Sequence, residues 1–447
     1  MHAPMQFACA GGLLRRGVLM GSVNSTRMAR HGGKALAAAW LAAAVCARSV
    51  AEPPPAPTTD ASATGDEETE LHCPPDDTSF ICKLHYFDEY ARGKLSSGGG
   101  VLGVHYAGLL MLDVSPPDNA LTDGTSIQLR RLRVGFDRAL TSEWTLRGSA
   151  EVKTGRFEFQ DVYVARTWGD GRVVLGNQVE PFGLERVTGV QNTIQLERSL
   201  PIALAPGLDV GASYARRDGN WYWTAGAFGA GSSNDGLRNR GLAADGRLVW
   251  AHSGEDHVRH FGAALSLRPH LDDVTQQFRS YPEVVLSNTY LVDTGKIADV
   301  DGARRGGFEY AEVAGQWSWQ AEAIGMRLTR ANGMPGLMFH GSYAQLSWFP
   351  WQGQRRYDPQ TARFVTSEAI GRDVFEFSAR LSRIDLNSAD IEGGAETNLT
   401  LAANWYVTPR VRLGANLVHV FDLDGGPTEG RAAHDSALVL RLQYDLF

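Results

Sequence analysis

Beyond about residue 100, the chain is a series of short segments in which apolar and polar residues alternate. In WTLRGSAEVK, residues 144–153, Trp144, Leu146 and Val152 fall on one face, while the other face is polar and charged. The same alternation occurs at 130–136, 374–383, 410–417 and 437–446. Clusters of Gly, Asn, Asp and Pro separate the segments. A period of two between turn-forming clusters predicts β-strands joined by turns.

The content of the polar face separates two kinds of β protein. A soluble β-sandwich also alternates, with its apolar face packed into a core. Here, arginines such as Arg131 and Arg380 stand at strand centres, and no helical period interrupts the pattern. A barrel that is apolar outside and polar inside accounts for both features. At roughly ten residues per strand plus a connection, the length predicts an all-β, antiparallel transmembrane β-barrel of about sixteen strands.

The N-terminal region has the features of an exported protein. Basic residues precede the apolar run ALAAAWLAAAV at 35–45, and the small residues of SVA at 49–51 suit a signal peptidase. The run is too short to span a bilayer as a helix. We therefore predict a signal peptide at 1–51, with Met28 as an alternative start. An acidic linker at 52–98 follows as a short periplasmic segment, and the barrel occupies 99–447.

Cys73 and Cys82, in HCPPDDTSFIC, are the two cysteines that would remain after cleavage. An exported chain enters an oxidising space, so we expect a local disulfide that closes this loop. A metal site is the alternative, but it needs two further ligands nearby. Three roles are open for the linker: a periplasmic plug, a trimer contact or a tether.

The distribution of charge excludes one class of partner. The formal net charge is −7, and the acidic residues are concentrated at 52–90, so the barrel segment is nearly balanced. Its arginines are dispersed along the chain. A nucleic-acid-binding protein would carry a basic patch, and we predict no nucleic-acid partner.

Specific strings resemble the phosphate-selective porin family, the O and P type outer-membrane porins, from about residue 130 to the end. They are DVYVARTW and RVVLGNQVEPFGLE within 161–185, ERSLPIALAPGLDVG at 197–211, GRLVW at 246–250, FEFSARLSRIDLNSADIEGG at 375–394 and TNLTLAANWYVTPRVRLGANLVHV at 397–420. Their order and extent carry the resemblance. It implies a sixteen-stranded, homotrimeric channel of the bacterial outer membrane for phosphate or related anions. It also implies two further partners, outer-membrane lipid and the barrel assembly machinery, which would recognise a last strand ending in Phe447.

Basic side chains on the polar faces are the candidate anion path. An anion channel must replace part of the hydration shell of the ion, and guanidinium groups match phosphate oxygens. The residues assigned to the lumen by the alternation are Arg131, Arg133, Arg147, Lys153, Arg380 and Arg412. Glu151 and Glu376 lie among them and would temper the field. The alternative is that these cations form cross-strand ion pairs that brace the wall.

The connection at 186–206 is the candidate constriction. It contains Glu197, Arg198 and two prolines, and it is long enough to fold into the lumen. Two positions near it depart from the resemblance, because Val179 stands where lysine is expected and Leu208 where arginine is expected. Lysine is also rare after residue 100. A weakly selective general porin for another solute is therefore the alternative function.

Two other classes of function remain open. An outer-membrane enzyme would need a nucleophile or a metal site, and its best candidate is the polar connection HSGEDHVRH, which contains His252, Glu255, Asp256, His257 and His260. A solvated turn is the simpler interpretation of that segment. A secreted β protein that binds glycan is the other class, and it would be soluble without detergent. We predict a channel rather than an enzyme, and we assign no catalytic, cofactor-binding or metal-binding residue.

Overall fold

The structure is a computed structural model of the chain. It describes residues 104–116, 121–122, 126–229, 241–254, 256–271, 275–287, 289–365, 372–427 and 434–446. The predicted signal peptide, the acidic linker with Cys73 and Cys82, and the C-terminal Phe447 lie outside the described residues. Their assignments therefore stay predictions.

Sixteen antiparallel strands close into one barrel, in which the first strand pairs with the last. They are β1 (Val104–Ser115), β2 (Ser126–Ala139), β3 (Trp144–Lys153), β4 (Arg156–Trp168), β5 (Gly171–Val179), β6 (Leu208–Asp218), β7 (Trp221–Phe228), β8 (Ala243–Ser253), β9 (His257–Arg268), β12 (Val300–Ala314), β13 (Trp317–Arg330), β14 (Leu337–Trp348), β17 (Val374–Ser388), β18 (Ile391–Tyr406), β19 (Val411–Asp424) and β20 (Ser436–Leu446). The predicted fold class is confirmed.

The connections contain the remaining secondary structure. Two short ladders pair β10 (Arg279–Ser280) with β11 (Val292–Asp293), and β15 (Tyr357–Asp358) with β16 (Arg363–Phe364). The described helices are a single α-helical turn at Leu184–Val187 and 3₁₀ turns at Val190–Asn192, Leu200–Leu204 and Val285–Ser287. Within the described ranges, no helix is long and apolar enough to cross a membrane.

The two faces of the sheet differ as the alternation predicts. On β12, Phe308 is exposed and the next residue, Glu309, is buried; on the neighbouring β9, Phe261 is exposed and His260 is buried. Exposed apolar side chains on the outer face would be costly in water but are favoured against lipid. The buried polar side chains point into the barrel, where they find hydrogen-bond partners.

The two ends of the barrel differ in the length of their connections. One end has the tight turns 169–170, 219–220, 315–316 and 407–410, whereas the other has the long connections 180–207, 229–242 and 269–299. Short turns face the periplasm and long loops face the exterior in outer-membrane barrels. The connection 349–373 is an exception, because it is long and yet lies at the short-turn end.

Three long connections fold inward and pack against the wall. Leu200 and Leu204 of 180–207 and Phe278 of 269–299 belong to one buried apolar cluster with wall residues. Val284 of 269–299 joins a second such cluster. Tyr357 and Phe364 of 349–373 join a third. Parts of the inner wall are thus apolar, and they are stable there because the inward connections remove them from water.

Candidate functional site in the barrel lumen

The connection 180–207 crosses the lumen and is anchored at the seam where the barrel closes. The Glu197 carboxylate accepts hydrogen bonds from Arg130 of β2 at 2.7 and 2.8 Å, and from Arg441 of β20 at 2.6 Å. Arg441 also donates to Asp113 of β1 at 2.6 and 2.7 Å. Burial acts to raise the pKa of the Glu197 carboxyl, but the charges of Arg130 and Arg441 outweigh it and hold that pKa well below its usual range.

A β-bulge explains why simple alternation missed Arg130. Strict alternation places Arg130 on the outer face with Leu132. In the structure, Met111 of β1 pairs with Arg131, but the next residue, Leu112, pairs with Leu129, so Arg130 is the extra residue of a bulge. The bulge brings the side chains of two consecutive arginines, Arg130 and Arg131, to the inner face.

Side chains of the wall, together with Arg355 of the connection 349–373, satisfy the irregular backbone of the connection 180–207. Six backbone carbonyl groups of this connection accept a hydrogen bond from a side chain. The acceptors and their donors are Asn192 with Arg355 (2.6 Å), Thr193 with Arg412 (2.7 Å), Ile194 with Asn404 (2.9 Å), Leu196 with Arg441, Glu197 with Arg380 (3.0 Å) and Leu204 with Arg305 (2.9 Å). A buried backbone carbonyl without a partner costs free energy. These side chains therefore hold across the barrel a segment whose own regular structure is limited to short helical turns.

Gly183 shows how the connection enters the lumen. It follows Phe182, which is fully buried in the first apolar cluster. Gly183 has φ 72°, and a Cβ atom there would lie 2.7 Å from Oε2 of Glu322. Glycine is therefore required by both the backbone angle and the close approach. Just before it, Glu180 pairs with Arg268 of β9 at 2.9 Å, so the string EPFG forms an anchored bend.

Arg380 and Arg412, two of the predicted path residues, are buried beneath the inward connections. Each is only 1% exposed. Arg380 pairs with Glu283 of 269–299 at 2.7 Å and with Glu185 at 3.4 Å. Arg412 donates to Gln443 at 2.7 Å in addition to its bond with the connection. Both guanidinium groups thus contact protein oxygens.

Arg131, Arg133, Arg147 and Lys153, the other predicted path residues, lie on β2 and β3 and are more accessible. The side chains of Arg131, Arg133 and Arg147 are 12%, 22% and 36% exposed. Arg131 and Arg133 share Glu151, at 2.5 and 2.7 Å. Arg147 pairs with Asp137 at 3.0 Å and with Asp161 at 3.3 Å. Lys153 is half-buried and forms no ion pair within the described ranges.

Arg198 braces the connection from within. It donates to the carbonyl groups of Thr188 at 2.8 Å and Arg186 at 3.3 Å. Burial, followed by the like charge of Arg186, lowers the pKa of Arg198 to about 10. The side chain is therefore charged at neutral pH, and it closes the connection into a loop.

Comparison with known protein families settles the class of the protein. The family model of Phosphate-selective porin O and P matches residues 109–446, most of the chain. The chain belongs to this family. It is an outer-membrane porin, a channel protein.

Solved structures with a similar arrangement are also outer-membrane proteins. The trimer form of OmpT from Vibrio cholerae is 12% identical, with a TM-score of 0.49 over 76% of this chain and 98% of that one. An anion-selective porin from Comamonas acidovorans is 12% identical, with a TM-score of 0.43 over 76% and 99%. The channel DcaP of Acinetobacter baumannii is 10% identical, with a TM-score of 0.47 over 76% and 96%. No curated protein matches the chain.

The two positions at which this porin departs from the expected residues face each other. Val179, the last residue of β5, pairs directly with Leu208, the first residue of β6. The pair stands at the base of the connection 180–207, where a lysine and an arginine would have placed two charges. At these two positions the porin therefore carries no charge.

The histidine-rich segment of the porin forms a hairpin instead of one polar connection. His252 is in β8 and His257 is in β9, so only the residues between these strands form the turn. His260 is buried and hydrogen-bonds the Tyr357 hydroxyl at 2.7 Å, whereas His257 lies 3.6 Å from Glu312. The two histidines of β9 thus have different partners, and no group of three metal-ligating side chains occurs within the described ranges.

Proposed function

We propose that this porin carries small anions of the phosphate class through the space left beside the inward connections, along the wall formed by β2–β5. One observation supports this path: the basic side chains Arg133 and Arg147 of β2 and β3 are partly exposed, whereas Arg380 of β17 and Arg412 of β19 are covered. The proposed path runs from Lys153, Arg131 and Arg133 near the long-loop end to Arg147. It ends at Arg172 near the short-turn end, which is exposed and lies 5.9 Å from the ring of Tyr163.

Electrostatics makes such a wall selective for the sign of the ion. Two unit charges 4 Å apart interact by ~1 kcal/mol in water and by ~4 kcal/mol at an effective dielectric constant of 20. A few cations in a narrow aqueous path therefore suffice to favour anions. The carboxylates of Glu151, Asp137 and Asp161 reduce this attraction, which keeps the site weak enough for an anion to leave. In this proposal Arg380 and Arg412 act indirectly, by holding the connection 180–207.

A weakly selective porin is the second candidate. It is favoured by the pairing of Arg131, Arg133 and Arg147 with carboxylates, which leaves Lys153 and Arg172 as the cations of the proposed path without an ion pair within the described ranges. The uncharged pair Val179 and Leu208 also favours it. In this case the fold would retain the path but would not prefer phosphate over chloride.

Planar-bilayer recording separates the two candidates. The reversal potential in a KCl gradient reports the preference for anions, and phosphate added to the bath reports competition for the path. Anion selectivity with block by phosphate supports the phosphate-class path. A large conductance that ignores phosphate supports the weakly selective porin, and the absence of channels would contradict both.

The assembly of the porin is also a proposal. We propose a homotrimer embedded in outer-membrane lipid, exported by a signal peptide that is cleaved after Ala51. The barrel assembly machinery would recognise the strand that ends in Phe447, and Cys73 and Cys82 would form a disulfide in the periplasmic linker. Chemical cross-linking would test the trimer, and mass spectrometry with and without reductant would test the disulfide.

A further inference from the structure

An arginine pair on the outer face of the barrel is not explained by transport. Arg304 of β12 and Arg327 of β13 are both exposed and lie directly opposite each other across the two strands. Residues paired across an antiparallel sheet have Cβ atoms about 5 Å apart, and like charges at such positions repel. Neither arginine has an ion-pair partner within the described ranges.

Other outer-face arginines on nearby strands do have partners. Arg259 of β9 pairs with Glu312 at 3.1 Å, and Arg383 of β17 pairs with Asp422 at 3.4 Å. The pair Arg304 and Arg327 is thus a concentration of unneutralised positive charge on the lipid-facing surface. An anion placed between the two guanidinium groups would offset their repulsion.

The height of the pair corresponds to the head groups of the outer leaflet. Trp317 begins β13 at the short-turn end, where it stacks on Trp348 at 5.4 Å. Arg327 lies ten residues further along the same strand. At ~3.3 Å per residue and a strand tilt of ~40°, this separation is about 25 Å along the membrane normal, the height of the apolar band of such barrels. The outer-face residues between them on β13 are uncharged.

A shallow groove lies on the membrane side of the arginine pair. Gly306 and Gly325 are one outward position below Arg304 and Arg327, and they too pair directly. A Cβ atom on either glycine would meet nothing within 4 Å, and neither has a positive φ. Neither packing within the protein nor backbone conformation therefore requires glycine here, although glycine weakens a strand.

One edge of the groove is apolar and the other carries a histidine. The exposed Leu265 of β9 pairs with Gly306 on one side. His340 of β14 pairs with Gly325 on the other. Neighbouring strands are about 4.8 Å apart, so these edge residues are separated by roughly 14 Å, enough for acyl chains. Phe308, 74% exposed, and Ala323 continue the surface toward the membrane centre.

We infer that this face binds a phosphorylated glycolipid of the outer leaflet, with its phosphate between Arg304 and Arg327 and its acyl chains over Gly306 and Gly325. The charge of the pair is complementary to phosphate, and guanidinium groups bind phosphate oxygens as a planar fork. The apolar groove directly below suits a lipid rather than free phosphate. The site lies on the outside of the barrel, so the inference is independent of the proposed anion path.

Native mass spectrometry of the detergent-solubilised porin with diphosphoryl lipid A tests the inference. We expect the Arg304→Gln/Arg327→Gln variant to bind this lipid at least about tenfold more weakly. The loss of one hydrogen bond to a charged group is enough to weaken binding by about this factor. Arg259→Gln is the matched control, because it removes an outer-face arginine at the opposite rim, and it should bind as the unaltered porin does. Gly325→Leu, which fills the groove and keeps both arginines, should also bind more weakly.

Four results would overturn the inference. The first is equal binding of lipid A by the double variant and the unaltered porin. The second is equal binding of dephosphorylated lipid A, which would mean that the arginines do not recognise phosphate. The third is binding of inorganic phosphate at the pair without competition from lipid A. The fourth is a change of oligomeric state in the double variant with lipid binding unchanged, which would assign the face to a second copy of the chain. Unchanged migration of unheated samples on a denaturing gel checks that each variant is folded.

Discussion

The wall formed by β2–β5 and the wall formed by β17–β20 have the same alternation of side chains but different surroundings. On both, polar side chains project inward at every second residue, and some of them are arginines. Apart from Arg130, the arginines of β2 and β3 that project inward pair with carboxylates of adjacent strands and retain exposure, as Arg133 does with Glu151. On β17–β20 such arginines reach the inward connections and are buried, as Arg380 and Arg441 are.

This contrast teaches that an arginine in a barrel strand has two different uses. An arginine that is exposed to water attracts anions and repels cations that pass through the channel. Where a connection covers it, the guanidinium group satisfies backbone carbonyls and buried carboxylates, and it fixes the shape of the aqueous path. A buried ion pair contributes little net stability when it is intact, but removal of one partner is costly.

Deletion of residues 186–206 is expected to have the largest effect on conductance, because it removes the connection that covers the arginines of β17–β20. Arg380 and Arg412 would then be exposed to water, and the cross-section of the lumen would increase. We expect single-channel conductance to rise at least about twofold, with stronger preference for anions. Deletion of 332–335, an exposed turn at the same end, is the control. Unchanged conductance after the first deletion would contradict the assignment of a constriction.

Arg441→Gln tests the anchoring of the covered wall. It leaves Asp113 buried without its cation and removes one of the two cations that pair with Glu197. Breaking a buried pair in this way costs about 3–5 kcal/mol. We expect a loss of that order in the free energy of unfolding, measured by urea titration of the porin in lipid vesicles. Arg133→Gln is the matched control, because Glu151 keeps Arg131 as a partner. Equal losses in the two variants would contradict the contrast between the walls.

Neutralisation of the open wall tests its role in selectivity. The Arg133→Gln/Arg147→Gln/Lys153→Gln variant removes three partly exposed charges, each of which attracts an anion at 4 Å by at least ~1 kcal/mol. We expect the ratio of anion to cation permeability, taken from the reversal potential, to fall by about fivefold or more. Arg412→Gln, on the covered wall, should change this ratio much less. A larger effect of Arg412→Gln would place the anion path on the other wall.

Acidification should affect the anchor only at low pH. The pKa of Glu197 is lowered from its ordinary value of 4.5, so the stability that this group contributes is fully present above that value. It is lost as the pH falls through the lower pKa of the folded porin. We therefore expect conductance to stay constant from pH 7 to 4.5 and to rise only at more acidic pH. In Glu197→Gln, conductance should already be higher at pH 7 and should lack that acid-dependent step.

Alternation describes the two faces of a strand where the strand is regular and fails where it is not. The faces of β3 follow from alternation, and so do those of β12. Arg130 could not be assigned, because the bulge beside it depends on the register between β1 and β2. Arg441 was visible as a polar residue in an alternating strand, but its link to Glu197 joins positions that are far apart in the chain. The inward course of 349–373 had no signal beyond its length.

The sequence by itself determined that this protein is a β-barrel, because alternation, turn clusters and strand length are local properties. It also determined the family, through ordered strings such as EPFG. The tertiary structure alone decided which arginines are open and which are covered, since this depends on three connections folding into a closed barrel. Open and covered arginines lie in the same alternating pattern of neighbours along the chain. They differ only in the residues that the fold brings against them from distant parts of the chain.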